Sequence, residues 1–192
     1  MNNTGIKEDA NVILEGVKIG YSINNPLVEI PHLEIFPGEI VAITGPSGVG
    51  KTTLVRTIAG LVSPISGSVR VFDSTLPHRP PRGSIGYIPQ RLGLVSHASV
   101  LHNVLLGARA GHSSALSIIS SQKSRRSAID AIDRMGLSEK MHEPVRRLSG
   151  GQQRRVATAR TIAQSPKILL ADEFLSELDE KTLDKVQNEV ID

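Results

Sequence analysis

Nine residues, GPSGVGKTT from Gly45 to Thr53, constrain this chain more than any other stretch. They fit G-x-x-x-x-G-K-[ST], with Gly45, Gly50, Lys51 and Thr52 at the fixed places. The glycines let successive backbone N–H groups turn toward one point, and the helix that starts there adds partial positive charge, so the loop cradles phosphates. Pro46, Ser47, Gly48, Val49 and Thr53 complete the nucleotide-binding loop. Lys51 reaches the β and γ phosphates of ATP as a point charge, and the Thr52 hydroxyl is a ligand for Mg²⁺. The flanks agree: LEIFPGEIVAITG ends in a predicted buried strand, Ile40 to Thr44, and KTTLVRTIAGLV has helical spacing.

The remaining chain reads as α/β. Short apolar runs from Val12 to Val41, namely VILEGVKIGY, PLVEI and LEI, are predicted strands, with a tight turn at Pro37-Gly38. GSVRVFD and SIGYIP add strands on either side of a Pro- and Arg-rich loop, Asp73 to Ser84. From about Val95 to Arg147 the pattern is helical, interrupted by the hydrophilic SSQKSRRS. KILLAD, Lys167 to Asp172, is a continuous apolar run of strand length, which predicts a central parallel strand buried on both faces. The two glycine motifs share no flanking pattern, so no internal repeat is present.

Composition removes several function classes. The chain has no cysteine, hence no thiolate metal site and no Cys nucleophile. A net charge of +3 and only five aromatics argue against nucleic acid as a partner. No apolar run approaches the roughly 18 residues of a membrane span, and MNNTGIKEDAN lacks the apolar core of a signal peptide.

Two further motifs carry chemistry. Asp172, at the end of the ILLAD strand, is placed to hold Mg²⁺ through water, and the adjacent Glu173 to polarise the attacking water as general base. LSGGQ, Leu148 to Gln152, puts Ser149, Gly150 and Gly151 at a helix start, a second anion site in a chain that already has one. Read alone, it is an N-capped helix beginning at Ser149.

With these motifs in place the chain resembles the ATP-binding subunit of ABC (ATP-binding cassette) transporters, from about Val12 onward; LSGGQ shortly upstream of ILLADE is that family's signature. The resemblance implies a P-loop NTPase parallel core sheet with an N-terminal antiparallel β subdomain and an inserted helical subdomain, residues 91–148. It implies that Gln90 in YIPQ bridges Mg²⁺, water and the membrane subunit, and that Tyr21 stacks on adenine. SELD, Ser176 to Asp179, matches the segment crossing between nucleotide sites. It also implies a head-to-tail dimer in which Ser149, Gly150, Gly151 and Gln152 close on the ATP of a second ATPase subunit. Transmembrane permease subunits and an extracytoplasmic solute-binding protein are the other expected partners. The subunit would then lie peripherally on the cytoplasmic side of the membrane. NVLLGARAG, in the inserted helices, resembles importers of the phosphonate and phosphite type.

Two departures from the family pattern stand out. Phe174 replaces the usual Pro after the catalytic Glu, which removes a φ restraint. The family's histidine on the strand after SELD has no counterpart here, since no His follows His142. Because that strand is central in the family's core, the expectation is an incomplete cassette, loosely folded by itself, with each unpaired buried backbone group costing on the order of 1–3 kcal/mol. The alternatives are a soluble ABC ATPase without a transport role and an ATP-binding module that does not hydrolyse. His97, His102 and His112 show no ligand spacing and are expected to face solvent or a partner.

Overall fold

Strand, turn and helix follow the apolar pattern closely in a computed structural model that describes residues 9–22, 24–111 and 117–172. The chain divides into two compact units, one up to Pro80 and one from Pro81.

The first unit is an antiparallel sheet with one helix. β1 (Val12–Ser22) and β2 (Asn25–Ile35) form a hairpin, β3 (Ser66–Val71) pairs with the other side of β1, and the two-residue β4 (Ser74–Thr75) follows on β3. PLVEI and LEI, read separately in the sequence, are one continuous strand. β1 shows why alternation alone misleads. Val12 and Leu14 are buried, then the buried positions shift phase to Val17 and Ile19. Gly16 makes the shift: it sits in the left-handed region at φ 56°, within the register irregularity between Glu15 and Lys18. Opposite it, Gly67 has φ 86°, and a Cβ there would overlap the Gly16 carbonyl, so this bulge needs glycine on both strands. α1 (Lys51–Ile58) buries Leu54, Val55, Thr57 and Ile58, the i, i+3, i+4 face of a helix, against β1 and β3.

One expectation fails in this unit. Ile40 to Thr44 is not a strand: residues 39–46 have no regular secondary structure, and Ile40, Val41 and Ile43 are 58%, 46% and 38% exposed. A strand exists only through ladder partners, and among the described residues none pairs with this run.

The second unit joins a parallel strand pair to helices. β5 (Ile85–Ile88) and β6 (Ile168–Ala171) run in parallel with Ile85 opposite Ile168 and Ile88 opposite Ala171. The expectation of full burial for β6 is also corrected: Ile168 to Leu170 are half-buried and Ala171 is exposed, because β5 is its only strand neighbour among the described residues. α2 (Val100–Gly111), α3 (Ser117–Arg134) and α4 (Gly150–Ile162) share one core, to which Val104 and Ala108, Ile132 and Met135, and Val156 and Ala159 contribute. The helices predicted as an insertion therefore close their core on α4.

Each helix end has its own chemistry. Ser99 caps α2, its Oγ accepting from the His102 N–H at 3.1 Å. α3 stops at Gly136, φ 64°, where the Gly136 and Leu137 N–H groups return to the Asp133 and Ile132 carbonyls. The contact between α2 and α4 is closest of all. A Cβ on Gly107 would overlap the Arg160 carbonyl, and one on Gly111 the Gln164 carbonyl, so helix backbones touch at two places one turn apart. Gly107→Ala should therefore destabilise the protein by about 1–3 kcal/mol, the range for overpacking. A chemical-denaturation midpoint equal to that of the unmutated protein would refute this contact.

Candidate functional site

The phosphate loop is built by forced glycines. Gly45, Gly48 and Gly50 have φ of 146°, 81° and 109°. A Cβ on Gly50 would stand 2.8 Å from Val28 Cγ2, so this position is closed to side chains by both conformation and packing. Gly50 is the N-cap of α1, no side chain caps the helix, and its first turn contains no acidic residue. A helix start with no side-chain cap and no acidic residue in its first turn is suited to an anion. Lys51 Nζ donates to the Gly45 and Pro46 carbonyls, both at 2.9 Å, which folds the ammonium back over the loop where phosphate oxygens would sit. Residues 41–49 are exposed, as a ligand-receiving loop requires. Val28, which touches Gly50, pairs with Ile19 on β1. Tyr21 lies on the same strand two residues further on; its side chain is outside the described residues.

Gln90 and Asp172 come together in the second unit. The Asp172 N–H donates to the Ile88 carbonyl at 3.0 Å and extends the β5–β6 ladder by one step. Asp172 and Gln90 consequently leave the same C-terminal edge of a parallel pair, the edge at which α/β sheets bind ligands. Asp172 is buried, and the Tyr87 hydroxyl donates to its Oδ2 at 3.5 Å, a contact that sequence reading missed. The Thr52 hydroxyl in the first unit and the Asp172 carboxylate in the second are each, taken by itself, a hard oxygen donor of the kind that suits Mg²⁺. Glu173 and the SELD segment through Asp179 lie outside the described residues.

The second glycine motif starts α4. Ser149 is the N-cap: its Oγ accepts from the Gln152 N–H at 3.3 Å, while Gln152 Oε1 accepts from the Ser149 N–H at 3.0 Å. This reciprocal pair is a capping box. Gly150 and Gly151 are different from Gly50. Both are exposed and helical, neither has a positive φ, a Cβ on Gly151 would meet nothing within 4 Å, and one on Gly150 only the Arg154 guanidinium at 4.0 Å. Nothing inside the described residues requires glycine at either position.

Beside this helix start lies a cleft of about 420 Å³, whose walls include Gln90, Leu92, Leu94, Val145, Arg146 and Arg154. Asn103, buried on α2, holds its wall: Oδ1 accepts from the Val95 N–H at 2.7 Å and Nδ2 donates to the Val95 carbonyl at 3.1 Å. A lone Asn in the apolar run HNVLL was the available signal. His97 and His102 are exposed, and no group of three or more metal-ligating side chains occurs among the described residues.

Comparison with known proteins agrees with this geometry. The family model described as ABC transporter matches residues 28–176. The hypophosphite import ATP-binding protein of Stutzerimonas stutzeri is 38% identical over 90% of this chain and 53% of its own length. A phosphonates import ATP-binding protein of Cupriavidus metallidurans is 37% identical over 94% of this chain and 68% of its own. An import ATP-binding protein of Salmonella typhimurium is 36% identical over 88% of this chain, which spans 44% of that relative's length. Among solved structures, a dimeric ATP-binding cassette in a post-hydrolysis state with ADP and Pi is 30% identical with TM-score 0.79, over 93% of this chain and 81% of that one. The cbiO1 protein of Clostridium perfringens, part of the ABC transporter complex cbiONQ, is 29% identical with TM-score 0.76, over 96% and 73%.

The loop geometry gives a direct expectation for Lys51→Ala. Removing the cation that is hydrogen-bonded to this loop should weaken ATP binding at least about ten-fold, the loss of one charge-assisted contact of 1.5–3 kcal/mol. Calorimetric titration with ATP checks it, and an unchanged affinity would remove Lys51 from the site.

Proposed function

The chain belongs to the ABC transporter family, and on that premise we propose that it is the ATP-hydrolysing part of an importer for a phosphonate or related phosphorus oxyanion. The observation that carries the reading is the pair of exposed glycines at the start of α4. Glycine in a helix costs up to about 1 kcal/mol relative to alanine, and nothing among the described residues requires it here. Their use is external: a second nucleotide-bearing surface approaches the backbone at Gly150 and Gly151, with the capping box of Ser149 and Gln152 holding the helix start open to it. One copy of the chain then supplies half of two sites, and a head-to-tail pair completes both.

In the proposed reaction Lys51 and the loop amides hold the β and γ phosphates, Tyr21 meets the adenine, and Glu173 takes the proton of the attacking water. Gln90 and Asp172 orient the water and the metal side of the phosphates. Thr52, Gln90 and Asp172 would hold Mg²⁺, which would supply charge neutralisation at the phosphates. Asp179 lies in the segment that links the two nucleotide sites. Permease subunits dock at the cleft beside Gln90, whose apolar Leu92, Leu94 and Val145 and basic Arg146 and Arg154 suit a short amphipathic helix with acidic ends. Among the described residues no helix is long and apolar enough to cross a membrane, and the proposed place of the chain is peripheral, on the cytoplasmic face with a solute-binding protein on the other side. The relatives named for import speak against a role without transport.

Two measurements test this. Gly151→Ala should leave the thermal midpoint unchanged or slightly raised, by up to about 1 kcal/mol in stability, yet lower ATP-driven pairing and turnover of the full-length protein. Full turnover in that variant would refute an external use for the glycines. Glu173→Gln keeps size and hydrogen bonding without basicity, so ATP should bind and persist while kcat falls by at least about a hundred-fold. A surviving kcat would assign the general base elsewhere.

A further inference from the structure

α4 does more than present its capped start. Arg160, almost at its other end, reaches the segment that follows Gln90: Nη1 donates to the Gly93 carbonyl and Nη2 to the Leu92 carbonyl, both at 2.8 Å. One planar guanidinium therefore fixes two consecutive carbonyls, a fork that a lysine ammonium cannot reproduce. The same segment is anchored upstream, where the Ile88 carbonyl accepts from the Asp172 N–H at 3.0 Å. Gln90 sits midway between the two anchors, two residues after Ile88 and two before Leu92. Beneath it, Ile88 and Ala157 of α4 form a small buried cluster with Leu92, Leu94 and Leu169 packed on it.

Arg160 is itself held in place. Its carbonyl is the atom against which Gly107 of α2 closes, so its backbone cannot shift without opening the α2–α4 contact. Burial lowers the guanidinium pKa below its usual value, a penalty on the charged form that the two carbonyl dipoles reduce without cancelling. Gly93 adopts φ 62°, a conformation that glycine takes without strain and that turns its carbonyl toward the fork.

We propose that Arg160 is a positioning residue for Gln90, tying the loop that carries it to the helix whose other end bears Ser149, Gly150 and Gly151, so that loop and signature helix move as one body. This rests on the reading of Gln90 as a residue that orients water and metal in ATP hydrolysis.

The test uses the full-length protein with its permease. Arg160→Lys keeps the charge and loses the fork; kcat for ATP should fall about ten- to a hundred-fold, as for loss of a supporting contact behind a reacting group, with KM for ATP within about two-fold. In a Gln90→Ala background the same change should have no further effect, because both act through one group. Gly93→Ala, which disturbs the loop while leaving α4 untouched, should give the same non-additivity with Gln90→Ala and covers the case in which Arg160→Lys folds poorly. Additive losses, an unchanged kcat, or a KM that rises in step with the loss of kcat would overturn the proposal while leaving the ATPase reading intact. An unmutated protein that hydrolyses no ATP would overturn both.

Discussion

The meeting of α2 and α4 at backbone distance is the constraint on which the second unit depends. Gly107 and Gly111, one turn apart, lie against the carbonyls of Arg160 and Gln164, also one turn apart. Any Cβ would separate the helices and with them the shared core of Val104, Ala108, Val156 and Ala159. The close approach also sets what α4 and the turn after it can reach with their polar side chains. Gln164 Nε2 donates to the Gly83 and Ile85 carbonyls at the entry to β5, and Arg160 holds the carbonyls just beyond its exit. α4 and the turn after it thus bracket a strand at both ends, and the far end of the helix is the capped start at Ser149.

Glycines in this chain answer to three different causes, and separating them is what makes the site readable. Gly50 and Gly67 are demanded by backbone conformation and crowding together. Gly107 and Gly111 are demanded by packing alone. Gly150 and Gly151 are demanded by neither. Under the proposed function, the cost of glycine at an exposed helix start is matched by a partner surface that approaches it. The Asp172 backbone extends the parallel pair by one step, and Gln90 follows two residues after the end of β5, at the same C-terminal edge.

By itself the sequence determined whatever local chemistry can enforce. The phosphate loop needs only its glycines and Lys51, the start of α4 needs only Ser149 and Gln152, and the end of α3 needs only Gly136, each within a few residues of its partner. The parallel strand of ILLAD was legible from its apolar run and its length. Tertiary structure alone decided the rest. Ile40 to Thr44 has the composition of a buried strand but not the structure of one, since a ladder is made by distant neighbours and no local signal supplies them. Asn103, Tyr87 and Arg160 were unremarked in sequence because their partners are carbonyls, amides or a carboxylate that only folding brings near. A hydrogen bond from residue 160 to residue 92 has no periodicity to read; it exists because two glycines let one helix lie on another.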